Sequence, residues 1–215
     1  MKIYQTFTSQ TVLHLNILRK VITLALGLAI ILVITNSSLA NQRETNRLMF
    51  QAAKLSQDGR NEEALKILLE IIRKEPKNFY AYNNVAMVYS EMQEYDKALE
   101  AYERSLSINP TFPMALNNIG YLHMTMGHHD KAEAFFKKAL TFFKTFHLAS
   151  TNLGELYLKQ KRYSEAMKYL RKSLVDMPTM SRPHKLIGEI HRAQGRNEEA
   201  KKEFDLFRQL SKKSK

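Results

Sequence analysis

FYAYNNVAMVYSEMQEYDKALEAYERSLSINPTF, residues 79–112, decides the fold. Within it Tyr82, Val85, Ala86 and Tyr89 recur at steps of three, one and three, which places them on one face of a helix. After an interruption Ala98, Tyr102, Ser105 and Leu106 do the same, so the stretch reads as two helices joined by a turn. Working outward, Ala98 is one of a series of alanines at 64, 98, 132, 166 and 200, spaced by 34 residues without a slip. Self-similarity at that period means stacked copies of one unit rather than a single catalytic core.

Other rows keep the same time. Twelve residues before each alanine stand Ala52, Ala86, Gly120, Gly154 and Gly188, and three residues after those come Leu55, Tyr89, His123, Tyr157 and His191. Four residues after each alanine the chain carries Leu68, Tyr102, Phe136, Leu170 and Phe204. The blocks run 45–78, 79–112, 113–146, 147–180 and 181–214, with no linker between them. The small residues and the alanines mark places where two helix backbones approach, because a larger side chain would hold them apart. Gly59, Gly127 and Gly195 fall where a first helix should end. Pro76, Pro110 and Pro178 stand just before the next helix, where proline stops one helix at no cost to its successor. The third block has Lys144 instead, and its second helix is expected to run on.

Together these rows resemble the tetratricopeptide repeat family, which has this period and this order of small, aromatic, alanine, bulky and proline positions. The resemblance covers 170 of the 215 residues. It departs from the family in lacking tryptophan, and in the varied fourth block position, Leu48, Tyr82, Leu116, Ser150 and His184. The resemblance implies an all-α, right-handed superhelical solenoid of helix-turn-helix repeats that binds protein on a concave wall built from the first helix of each block.

Composition agrees. With 44% hydrophobic and 25% charged residues, 7 glycines and 5 prolines, the chain is foldable and is not low-complexity. The lack of cysteine excludes a disulfide scaffold, a thiolate zinc site, a thiol nucleophile and a lipidated N-terminal cysteine.

Residues 1–40 lie outside the register. Lys2, Arg19 and Lys20 precede an apolar run over 21–34, and Ser38 and Ala40 then flank Leu39 as a signal peptidase requires. One reading is a signal peptide cut after Ala40. The other is an uncleaved anchor over 17–35, although the apolar run makes a helix of only about 21 Å against a hydrocarbon core of about 30 Å. Both readings put the repeat domain, 41–215, outside the cytoplasm, either free in a bacterial periplasm or envelope or tethered to the inner membrane by a single pass.

Charge narrows the partners. The whole chain carries +12; without residues 1–40 it keeps 30 Lys and Arg against 21 Asp and Glu, or +9. The excess gathers at Arg192, Arg196, Lys201, Lys202, Arg208, Lys212, Lys213 and Lys215, which read as a solvated last helix or as a contact for membrane or cell-wall anions. No nucleic-acid partner is expected of an exported protein.

The candidate partner-binding residues lie on the first helices. Asn84, Asn118 and Asn152 recur at one block position, with Asn83, Asn117 and Thr151 beside them. An amide both donates and accepts, so a row of amides at solenoid spacing can bracket the backbone of an extended peptide. The alternative is that these asparagines help pack or solvate the helices. Around them Met87, Met114, Tyr121, Met124, Leu148 and Glu155 complete an adaptable, partly apolar surface. A clamp for an acidic chaperone tail, which the family also builds, is not expected: its positions here hold Met49, Ala53, Asn84, Met114 and Asn118, without the cations it needs.

A second surface is suggested by the rings of the third block, Phe135, Phe143 and Phe146, with Phe142 and Phe112 nearby. They either fill the joint to the fourth block or form an exposed patch on the convex side. His128, His129 and Asp130 supply no third metal ligand, and the chain has no nucleophile with a neighbouring base and no phosphate loop, so neither catalysis nor a cofactor is expected. At the eighth residue after each alanine, Ile72, Leu106, Leu140 and Leu174 give way to Arg208, a polar end for the array. Leu206 and Phe207 beside it leave a homo-oligomer conceivable.

Overall fold

The computed structural model describes residues 32, 35 and 38–213. Apart from Leu32 and Thr35, the anchor expected over 17–35 lies outside the described residues. Among the described residues, no helix is long and apolar enough to cross a membrane.

The chain divides into two compact units, one ending at Gln51 and one beginning at Ala52. The described residues of the first, 32, 35 and 38–51, are helical, and α1, the helix that holds 38–57, ends at 57 in the second unit. Its exposed side carries an Arg47–Glu44 ion pair at 2.8 Å. The second unit holds α2 (Asn61–Lys74), α3 (Phe79–Glu91), α4 (Tyr95–Ile108), α5 (Pro113–Thr125), α6 (His129–Phe142), α7 (His147–Lys159), α8 (Tyr163–Asp176), α9 (Ser181–Ala193) and α10 (Asn197–Lys213). It is an all-α solenoid without a strand among the described residues.

The turn inside each block repeats atom for atom. The backbone N–H groups of Arg60, Glu94, His128, Arg162 and Arg196 each donate five residues back, to the carbonyls of Leu55, Tyr89, His123, Tyr157 and His191, at 2.8–2.9 Å. Such a bond closes a helix only when the preceding residue is left-handed. That residue is Gly59, Gln93, Gly127, Lys161 or Gly195, with φ between 59° and 78°. Three blocks meet the requirement with glycine, while Gln93 and Lys161 adopt the conformation with a side chain in place.

Between blocks the backbone also repeats, and here the structure corrects an expectation. The third block's second helix does not run on: α6 stops at Phe142. Phe143 N–H donates to Ala139 and Phe146 N–H to Phe143. The same two bonds form at Asn109 and Phe112, where Pro110 stands between them. Backbone bonding therefore ends the helix, and Lys144 takes the proline's place without consequence.

The small-residue rows sit where backbones meet. The alanines at 64, 98, 132, 166 and 200 are all buried. A Cβ on Gly120 would lie 2.7 Å from Phe136 Cε1, and one on Gly154 2.7 Å from Leu170 Cγ. Phe136 and Leu170 are fully buried, each stabilising the fold by about 1.5–3 kcal/mol. They reach that depth because the facing helix has no side chain there.

Candidate functional site

Helix contacts show which face is the inner one. Paired helices α3/α4, α5/α6, α7/α8 and α9/α10 pack together, and each second helix leans on the next first helix. In addition α3 touches α5, α5 touches α7 and α7 touches α9, whereas no even-numbered helix among those described touches the next even-numbered one. Where one layer of a stack closes up and the other stands apart, the closed layer lies on the shorter arc. The first helices therefore form the concave wall.

On that wall the asparagines are bonded to one another. Asn152 Nδ2 donates to Asn117 Oδ1 at 2.9 Å, and Asn118 Nδ2 donates to Asn83 Oδ1 at 3.2 Å. Within a helix, Asn117 Nδ2 donates to Asn118 Oδ1 and Asn83 Nδ2 to Asn84 Oδ1, both at 3.3 Å. The result is one unbranched chain of amides, Asn152 to Asn117 to Asn118 to Asn83 to Asn84, with every donor pointing the same way. Asn118 also bonds the Tyr102 hydroxyl, whose pKa burial pushes well up. Asn83, Asn117 and Asn152 are buried, and Asn84 and Asn118 half-buried. The amides thus fasten three first helices together, which is the packing role weighed as the alternative to a peptide-bracketing row. Thr151 is likewise occupied, sharing a 2.7 Å hydrogen bond with Ser173.

What faces the groove is apolar. Met87 is 41% exposed and Tyr121 45%. Tyr80, at 54%, stands one block before Met114 and Leu148, a row whose earlier member the sequence reading missed although its spacing was available. Met124, by contrast, is buried. A cleft of about 100 Å³ opens beside Met87, between Ala53, Ser56, Asn84 and Glu91. Toward the fourth and fifth blocks the wall becomes ionic: Glu155 pairs with Lys159 at 3.6 Å and with Arg182 from the next block. Glu155 therefore acts as a bridge between α7 and α9.

The second surface separates into two groups. Phe135 stacks on His123 at 5.6 Å between ring centres, and Phe135 and Phe146 both pack against the core. Phe143 is exposed, together with its neighbour Phe142. Phe146 turns inward because it occupies the position before α7, the place held by buried Phe112 before α5.

One electrostatic centre ties the third block to the fourth. Glu133 accepts from Tyr157 Oη at 2.9 Å and from Arg162 at 3.0 Å, and pairs with Lys137 at 2.6 Å. Burial opposes its charge, but the hydrogen bonds from Lys137, Tyr157 and Arg162 outweigh that and hold its pKa below the usual carboxylate range. Burial first, then the bond to Glu133, pushes the Tyr157 phenol up to about 12. Among the described residues no group of three or more acidic, histidine or cysteine side chains is placed to hold a metal.

Comparison with known proteins agrees with this architecture. Tetratricopeptide repeat models match residues 79–112 and 112–174. No curated protein sequence matches the chain. Among solved structures it resembles Pseudomonas aeruginosa PilF at 21% identity, covering 77% of this chain and 76% of that one with a TM-score of 0.69. It resembles PilW, a type IV pilus biogenesis factor, at 24% identity, covering 78% of each chain with a TM-score of 0.68. MamA from Desulfovibrio magneticus RS-1 shares 16% identity over 79% of this chain and 96% of its own, with a TM-score of 0.61. The 34-residue period, the paired helices and the two family matches make this chain a member of the tetratricopeptide repeat family.

Proposed function

We propose that this protein is an exported scaffold or assembly adaptor of the bacterial envelope, which holds a protein partner along the inner face of α3, α5 and α7. The observation that carries the reading is the row of exposed apolar side chains on a wall that is otherwise internally bonded: Tyr80, Met87 and Tyr121. Exposed rings and thioethers on one concave face give a partner area to bury, and methionine adapts to its shape. With the amides engaged by each other, apolar pockets rather than backbone bracketing carry the contact, with Asn84 and Asn118 at its edge. The reading involves no catalysis.

The envelope location is supported by the basic-then-apolar leader and by the likeness to PilW, a type IV pilus biogenesis factor. Intact mass of the protein from its own cells tests the leader: a chain beginning at Asn41 means a soluble adaptor, and one retaining residue 1 a tethered one. The groove is tested by placing a photo-crosslinking amino acid at Tyr121 in the native cell, with a second at Lys138 on the far side of the repeats. One discrete adduct at 121 that does not form at 138 is expected, whatever else 138 captures. No adduct at 121, or the same adduct at both positions, would sink the groove reading.

A second reading, a tethered structural subunit acting through its convex side, is favoured by the exposure of Phe142 and Phe143.

A further inference from the structure

Because the second helices do not touch one another, furrows run between them on the convex side, each floored by a first helix. The furrow between α2 and α4 is open to about 740 Å³, the size of a pocket that takes a substantial side-chain cluster or small ligand. Its floor is Tyr82, Val85 and Tyr89. At the positions of Tyr82 and Tyr89 the third block has Leu116 and His123 and the fourth has Ser150 and Tyr157, all four buried, whereas both tyrosines here are half-exposed.

Two substitutions open this furrow. Where the third and fourth blocks put a ring against the floor, Phe135 on His123 at 5.6 Å and Tyr169 on Tyr157 at 5.7 Å, this block has Ala101. Where blocks two to four place a charge on the facing wall, Glu103, Lys137 and Arg171, the first has Leu69, which is 49% exposed. One change removes the ring that would cover the floor, and the other makes the wall apolar. On the rim Glu100 and Glu103 stand exposed and have no ion-pair or hydrogen-bond partner among the described residues. Lys97 on the same rim is already held by Glu94, and Arg104 lies over the Tyr82 ring.

The missing piece has a specific chemistry: an aromatic ring accompanied by positive charge. The same convex side supplies it at the end of α6, where Phe142 and Phe143 are each 45% exposed beside the exposed Lys138 and Lys144. We infer that the furrow at Ala101 receives the Phe143 corner of a second copy of this chain, with Lys144 and Lys138 of one copy meeting Glu100 and Glu103 of the other. Both patches lie on every copy, so a two-fold axis pairs each furrow with the partner's ring in a closed dimer. The lysines offset the carboxylates at the rim, the ring restores the cover that Phe135 and Tyr169 give their own blocks, and a chain of net charge +12 is brought together where its acidic residues are uncovered. This contact is separate from the groove: a crosslink at Tyr121 can fail while it stands, and the reverse.

The experiment is sedimentation velocity of the protein as its own cells process it, over a range of concentrations, for the wild type, Ala101→Phe and Phe143→Ser. The wild type should dimerise, and each variant should weaken dimerisation by roughly 10-fold or more, since each removes a central ring contact. Ala101→Phe fills the furrow as Phe135 and Tyr169 fill theirs; thermal melting checks that both variants remain folded, and Leu69→Lys gives an independent block of the same furrow. Mixing the two variants should then recover dimer, because the Phe143→Ser copy still has an open furrow and the Ala101→Phe copy still has a ring. A monomeric wild type, dimerisation unchanged in both variants, or a mixture that recovers nothing would overturn the inference.

Discussion

Asn152 and Asn117 are 35 residues apart in sequence, and the amide of the first donates to the carbonyl oxygen of the second at 2.9 Å between α7 and α5. The bond is buried, so breaking it leaves a polar group with no water to replace its partner. Asn117→Ala should therefore lower unfolding free energy by about 1–3 kcal/mol. Urea denaturation at neutral pH measures it, and an unchanged midpoint would mean that the amide chain adds no cohesion.

Period and contact are different things, and this explains what the sequence could and could not reveal. The 34-residue clock identifies equivalent positions, and on that basis Asn84, Asn118 and Asn152 line up as a ladder. Neighbouring helices, however, are staggered, so bonds form between non-equivalent positions, Asn118 with Asn83 and Asn152 with Asn117. The fold was legible because equivalence defines a repeat. The state of the amides was not, because a shift of one residue exchanges a free amide for a bonded one. Similarly, nothing in the spelling of Phe135, Phe143 and Phe146 says which rings turn inward; that depends on where α6 stops.

Gly154 meets its limit at Leu170. A methyl group there would lie 2.7 Å from Leu170 Cγ, a branch point that cannot swing aside as a chain end can. Gly154→Ala would gain about 1 kcal/mol of helix propensity and lose more to overpacking. A net loss of about 1–2 kcal/mol is expected, read as a lower melting temperature. The first two blocks already carry buried Ala52 and Ala86 at this position, so the limit comes from the facing residue.

His123 makes the third block sensitive to acid. Its Nδ1 is buried without a hydrogen-bond partner, and burial, then Lys131 and His128, depress its pKa, while the Phe135 ring covers its other side. A depressed histidine takes its proton more readily unfolded, so its stabilising effect is intact above about pH 6.5 and is lost as pH falls from there toward the folded value. His123→Tyr installs the residue found at 89 and 157 and removes that dependence. Between pH 7.5 and pH 5.5, both approximate settings chosen to straddle the reference histidine value of about 6.5, the wild type's melting temperature should fall further than the variant's.

Lys161 holds φ at 59° at the turn where three other blocks use glycine. Left-handed backbone costs a side-chain-bearing residue about 1–2 kcal/mol, and glycine returns part of that as extra freedom in the unfolded chain. Lys161→Gly should stabilise the domain by about 0.5–1 kcal/mol, and Gly127→Ala should destabilise it by a similar amount. Equal melting temperatures across the series would show the turn to be unstrained.

The unequal layering of the helices bears on how the domain moves. Its first helices touch in succession and its second helices stand apart, so the inner wall is the line about which Ala52–Lys215 bends most easily, and the furrows are where that bending is taken up. An object wedged into the furrow at Ala101 holds α2 and α4 at a fixed spacing. The spacing of those two helices acts on the inner wall that α3 forms, where the cleft beside Met87 lies. Occupancy on the back of the solenoid thereby becomes a gauge of how wide the front can open.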